Sequence, residues 1–231
     1  MEKNVKVRRV EPGDRNYPAI PAGRLPIAAA PIFYAMGDLS ILHHPLLGLI
    51  CSIQCPGSII IKTFDFIRKL RDEKVIMIGG FHSPMERDCL DLLLRGTQPV
   101  ILCPARSLYN LRMGKEARKA VAEGRLLVLS LFGDDVRRTT ASQSILRNDM
   151  VSALAEAILV PHATQNGKTW MTVLKALGYG QKIVTFEDDA NANLIASGAR
   201  GCRDDLPSEL LLGLTGATAP PFSSLCHRER S

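Results

Sequence analysis

Short apolar runs recur along this chain, each separated from the next by a segment with helical spacing. LLGLICSI (46–53), VIMIGG (75–80), PVILCP (99–104), RLLVLSLF (125–132), AILVPHA (157–163) and QKIVTF (181–186) are six to eight residues long. Runs this short and this uniformly apolar read as strands buried on both faces, since a strand with one wet face would alternate. Between and after them lie 59–74, 83–96, 114–124, 145–156, 169–180 and 191–199, each read as a helix. The first of these carries Ile60, Phe64, Ile67 and Leu70 on one helical face. The second begins with Ser83 as its cap, Pro84 in the first turn and Glu86 placed to complete a capping box. Strands alternating with helices imply an α/β fold: a Rossmann-like, doubly wound, mostly parallel sheet with helices on both faces.

The 231 residues suit one large domain with short extensions. Residues 1–40 read as a proline-rich lead-in packed on the core, irregular and partly extended around Pro12, Pro18, Pro21, Pro26 and Pro31. Residues 41–200 form the Rossmann-like domain. Residues 201–231 read as a C-terminal extension, partly flexible where the pattern fades in LTGATAPPFSSLCHRERS. Apolar residues make up 46% of the chain and aromatics only 5%, so aliphatic side chains must fill the core. The uncharged stretch 39–61 is interrupted by His43-His44-Pro45, Gln54 and Pro56-Gly57, so it reads as a buried strand entering a turn rather than a membrane span. The N-terminus MEKNVKVRRVEPGDRNYP lacks the apolar region of a secretory signal. A cytoplasmic protein with reduced thiols and no membrane partner is therefore expected. Six cysteines stand at 51, 55, 89, 103, 202 and 226. Cys51 and Cys55 have no second pair nearby to complete a tetrahedral site, and Cys89 and Cys103 sit in apolar surroundings, so no metal is expected.

In open parallel sheets, ligands bind beyond the carboxyl ends of the strands. Residues 51–57, 79–83, 103–107 and 162–169 form the loops there, and the last is the most suggestive. VPHATQNGKTW (160–170) holds the Gly167-Lys168-Thr169 half of a nucleotide-binding P-loop, but His162 stands where the first glycine belongs. The loop reads as an anion site leading into a helix N-terminus, not as an ATP-cleaving one. Ser52, Ser83 and Thr169 offer hydroxyls to phosphate, and glycine allows close backbone approach. Arg106, Arg112, Arg137, Arg138, Arg147 and Lys168 fall in or close to the same edge, where they would neutralise phosphates. The net charge of +6 agrees with an anionic partner. Catalysis finds no support. His82 and His162 adjoin Ser83 and Thr164 without a G-x-S-x-G elbow. Glu86 and Asp88 do not share a helix face. Glu187-Asp188-Asp189 reads as solvated surface, and no dinucleotide fingerprint follows the first strand. The expectation is a protein with no catalytic residues, no metal and no cofactor.

The motif order resembles the DNA-processing protein A family in its Rossmann-like domain, as a divergent, short member. Tyr17-Pro18, Pro31 with Ile32-Phe33-Tyr34, and Gly37-Asp38-Leu39 resemble the family's lead-in. IMIGGF (76–81) resembles its Ser-Gly-Leu-Ala segment, and Arg147-Asn148 its Arg-Asn pair. Gly167-Lys168-Thr169 falls where the family has Gly-Ser-Leu or Gly-Thr, and Asn193-Leu194-Ile195 with Gly198-Ala199 resembles its closing motif. The resemblance spans residues 17–200. It implies binding of single-stranded DNA, often by a homodimer, and loading of a RecA-type recombinase during DNA uptake. The residues it marks for DNA or phosphate are Gly79, Gly80, Ser83, Arg147, Asn148, Gly167 and Lys168, to which the loop reading adds Ser52, Arg106 and Thr169. The family's Gly-Ser/Thr-Arg loop is replaced by Cys51-Ser52-Ile53, so its arginine is missing unless Lys62 or Arg106 substitutes. The other function in view is a nucleotide-binding sensor, or a nucleotide-processing protein, of the wider superfamily that includes the phosphoribohydrolases. The family-typical Pro-Gly-Gly of those enzymes is absent before Thr169, which argues against cleavage.

Overall fold

Nine strands form one sheet: β1 (Arg8–Val10), β2 (Phe33–Met36), β3 (Leu47–Leu49), β4 (Met77–Gly79), β5 (Val100–Leu102), β6 (Leu126–Ser130), β7 (Ala157–Leu159), β8 (Lys182–Phe186) and β9 (Arg200–Cys202). Their spatial order is β1-β2-β6-β5-β4-β3-β7-β8-β9. Strands β3 to β9 run parallel, while β1 and β2 close one edge antiparallel to their neighbours. This computed structural model describes residues 6–20 and 30–215. Pro21, Pro26, Cys226 and most of the C-terminal extension lie outside the described residues.

The helices are α1 (Gly57–Asp72), α2 (Pro84–Leu94), α3 (Lys115–Ala122), α4 (Ala141–Leu154), α5 (Lys168–Gly178), α6 (Ala192–Ala196) and α7 (Ser208–Thr215). They cover both faces of the sheet, as the alternation requires. On one face α1, α2, α3 and α7 bury Ile59, Phe66, Cys89, Leu93, Val121 and Leu210 against Leu47, Met77 and Val128. On the other, α4, α5 and α6 bury Met150, Val151, Trp170, Val173 and Leu194 against Ile78, Ile101, Leu127 and Ile158. The strand residues alternate between these two clusters, which is why their sequence is apolar without a break.

Element positions agree with the apolar pattern, and the departures have local causes. Helix α4 begins four residues earlier than its apolar spacing suggests. The side chain of Thr140 accepts from Gln143 N and that of Gln143 from Thr140 N, a capping box in polar sequence that extends the helix toward its N-terminus. β1 and β2 lie in the lead-in, where three or four residues give too little periodicity to read. Phe33 and Ala35 are nonetheless fully buried, and Tyr17 fastens the lead-in with a 2.7 Å hydrogen bond to Pro31 O. Residues 200–215 add β9 beside β8 and an α7 that buries Leu210 and Leu214. No helix among the described residues is long and apolar enough to cross a membrane.

From β3 the chain winds outward through β4, β5 and β6. It then returns through α4 to β7, on the other side of β3, and winds outward again to β9. The direction of winding reverses between β3 and β7. Helix α1 leaves β3 on one face and α5 leaves β7 on the other, so their loops diverge and leave a crevice at the carboxyl edge.

Candidate nucleic-acid interface

The floor of this crevice is a set of hydrogen bonds between the two diverging loops. Ser52 N donates to His162 O at 3.0 Å, and Thr164 N donates to Ser52 Oγ at 3.0 Å. Ser52 is thus spent partly on structure. Asn191, fully buried, donates its amide to Pro161 O at 2.8 Å and Phe186 O at 3.3 Å. Both amide hydrogens being committed, Asn191 Oδ1 must accept from His162 Nδ1, 3.0 Å away. This contact fixes the His162 ring at the crevice. Beyond it, Asn166 adopts a left-handed φ of +61° and Gly167 caps α5. A Cβ on Gly167 would stand 2.9 Å from Thr164 O, so the turn is closed too tightly for a larger residue. Thr169 is buried, while Lys168 is exposed and forms no salt bridge with any described residue.

The neighbouring β4 loop is built around a buried arginine. Arg147, on α4, lays its guanidinium across the backbone of Gly80, where a Cβ would lie 1.4 Å from Nη1 and 2.0 Å from Cζ. Only glycine leaves that bed open. Nη1 donates to Cys103 O at 3.1 Å and Nε to Asn148 Oδ1 at 2.7 Å, so Arg147 ties the ends of β4 and β5 together. Burial lowers the Arg147 pKa from its ordinary value, an effect opposed by the negative charge of Glu86. Since an arginine starts far above neutrality, the group remains a cation. Gly79 is less tightly confined, with a Cβ position 3.1 Å from Leu49 O.

Ser83 caps the helix that follows this loop. It is buried, and its Oγ accepts from Glu86 N at 3.2 Å in the anticipated capping box. The Glu86 carboxylate in turn accepts from His82 N at 2.8 Å and Ser83 N at 3.1 Å, and from Cys51 N at 3.1 Å across the crevice loops. The Ser83-x-x-Glu86 spacing revealed the cap, but nothing local in sequence pointed to Cys51. Arg106 stands just after β5, half-buried, with its Nε enclosed and without a partner among the described residues; its carbonyl accepts from Ser130 Oγ at 2.8 Å. Lys62, one candidate to replace the missing loop arginine, is engaged in an ion pair. Its Nζ is 2.8 Å from Asp188 Oδ2, and this hydrogen bond holds the Asp188 carboxyl below the usual carboxylate range. Ile53, in the arginine's place, is 74% exposed.

The expected phosphate residues therefore fall into two adjoining groups on one sheet edge. Gly79, Gly80, Ser83, Arg147 and Asn148 surround the β4 loop, with Arg106 beside them. Ser52, Gly167, Lys168 and Thr169 surround the β3–β7 crevice. A separate open groove of about 480 Å³ runs along Glu187, Asp188, Asp189, Ala192, Ile195 and Ala196. Its acidic lining disfavours phosphate. Among the described residues, no three His, Cys, Asp or Glu side chains are grouped to hold a metal ion.

A strand-end crevice flanked by a glycine-bedded arginine and a lysine-bearing helix start is the setting in which the family model for DNA recombination-mediator protein A matches residues 8–206. The chain belongs to that family. It is similar in structure to DNA processing protein A of Streptococcus pneumoniae, with a TM-score of 0.70 and 19% identity over 90% of this chain and 73% of that one. It is also similar to DNA processing protein A of Helicobacter pylori, described for its single-stranded DNA binding mode, with a TM-score of 0.67 and 18% identity over 87% of this chain and 93% of that one. At these identities the likeness establishes the fold. No curated protein sequence matches. As a member of the recombination-mediator family, the chain is a DNA-processing protein with a Rossmann-like core.

Proposed function

We propose that this recombination-mediator protein binds single-stranded DNA along the carboxyl edge of its sheet, without cleaving it. The observation that carries the reading is Arg147, a buried cation laid on Gly80, with the exposed Lys168 at the start of α5 across the crevice. Two cations spaced along one edge suit successive phosphates of a strand better than a single mononucleotide. Gly167 keeps the backbone low beside Lys168, so a phosphate can approach the first N–H groups of α5. Ser52 and Ser83 serve the loops, and Arg106 extends the cationic edge toward β5. In the cell the protein would act in the cytoplasm during DNA uptake and recombination, as a homodimer that passes its strand to a RecA-type recombinase.

Fluorescent oligo-dT titrated at rising salt tests the reading. Binding at micromolar affinity or better is expected, weakening about tenfold between roughly 50 and 200 mM salt as counterions are released. Arg147→Ala should weaken it further and flatten the salt slope. A salt-independent response, or saturable binding of a mononucleotide but not of oligo-dT, would replace this reading with that of a nucleotide sensor.

A further inference from the structure

A carboxylate occupies the backbone N–H groups that a phosphate would be expected to take. Glu86 is buried, and its two oxygens accept from three amides on two loops: Cys51 N after β3, and His82 N and Ser83 N after β4. Clustered N–H groups of this kind ordinarily bind a ligand anion. With the protein's own anion there, the ligand is directed elsewhere on the edge. A cation that feels the Glu86 charge is Arg147, whose bed is Gly80, two residues before His82 in the same loop. The position of that bed depends on how the loop is held, and Glu86 holds it at His82 and Ser83 and ties it to the β3 loop at Cys51. The guanidinium is in turn braced by Cys103 O and Asn148 Oδ1, neither of which belongs to the β4 loop. A shift of the loop would therefore press Gly80 into the guanidinium or open a gap beneath it.

We infer that Glu86 is a positioning residue for DNA binding: an internal anion that clamps the β3 and β4 loops and so sets Arg147 where a backbone phosphate meets it. This rests on the single-stranded DNA reading above. A purely structural Glu86 would support stability and leave the Arg147 contact unchanged once the protein is folded.

A double-mutant cycle separates the two. Glu86→Gln, Arg147→Ala and the double variant are titrated with oligo-dT across a salt series. The expected result is that Glu86→Gln loses about as much affinity as Arg147→Ala, roughly five- to twentyfold, with the same flattening of the salt slope. Adding Arg147→Ala to Glu86→Gln should then cost less than twofold. Full additivity, or wild-type affinity and slope in Glu86→Gln, overturns the inference. A readout independent of DNA is the side-chain Nε–H resonance of Arg147, which is bonded to Asn148. It should move or broaden in Glu86→Gln, and an unchanged resonance overturns the positioning role even if wild-type protein fails to bind oligo-dT. Failure of wild-type binding alone removes the DNA reading, while a shifted resonance still supports the Glu86–Arg147 linkage. If Glu86→Gln does not melt cooperatively, Glu86→Asp takes its place in both measurements. Its shorter arm cannot span Cys51 N and His82 N together, so the same losses are expected.

Discussion

Cys51 and Cys55 show how unequal two neighbouring groups become at the mouth of a crevice. A hydrogen bond between the thiols favours the thiolate of Cys55 and pushes the Cys51 pKa up, and burial raises Cys51 further. Cys55 is half-buried and therefore reachable, whereas Cys51 is buried. Burial pushes Cys103 and Cys202 up to about 12, and raises Cys89 as well. The thiolate is the nucleophile, and a lowered pKa means more thiolate at any pH below the ordinary thiol value. In the folded protein, Cys55 should be alkylated by iodoacetamide before the other four described cysteines. Its rate should begin to climb at lower pH than that of a free cysteine, and peptide mapping after timed pulses from about pH 6 to 9 measures both. Equal labelling of Cys51 and Cys55 would contradict the hydrogen-bonded pair. The sequence showed the C-x-x-x-C spacing but not this division, because it depends on which thiol the α1 entry turns inward.

The strands and helices that wind around the crevice were legible because each carries its own periodic pattern or cap. The parts that escaped are joined by single residues remote in sequence. Arg147 meets Gly80 and Cys103 across 67 and 44 positions (147 − 80 and 147 − 103), and no local pattern encodes such meetings. The motif resemblance could mark Arg147 and Gly80 separately but could not place one on the other. Asn191 is the same kind of residue: its helix was visible, its task was not. One amide joins the ends of β7 and β8 and orients His162. Asn191→Ala removes one side of two buried hydrogen bonds and one half-buried one, and leaves two carbonyls and an imidazole N–H to find new partners. A loss of about 2–3 kcal/mol is expected in urea unfolding, with the m-value unchanged, as a buried group without a partner costs about 1–3 kcal/mol. Because β7 carries the Lys168 loop, the variant should also bind oligo-dT less tightly while still folded. Stability within 0.5 kcal/mol of wild type, roughly the range of harmless surface changes, would show that the network is not needed.

On the scale of the whole molecule, two explanations of DNA binding compete. A chain of net charge +6 attracts any polyanion through its overall field, whereas a strand-end crevice attracts it through particular cations. The sheet gives a way to separate them, since its two edges lie at opposite ends of every parallel strand. Lys168 follows β7 on the carboxyl edge, and Lys74 precedes β4 on the amino edge; both are exposed. Replacing either with glutamine changes the net charge equally, from +6 to +5 (6 − 1 = 5). A field effect treats the two variants alike. A local phosphate contact does not: Lys168→Gln should reduce the log–log salt slope by about 0.7, the share of one phosphate on a single strand, and Lys74→Gln should leave it unchanged. At about 50 mM salt the first should bind oligo-dT several-fold more weakly than the second. Lys74 has a left-handed φ of +61°, which glutamine inherits at similar strain, so the comparison isolates charge. If both variants lose the same affinity and slope, DNA is held by the molecule's general charge, and the carboxyl edge is not its binding surface.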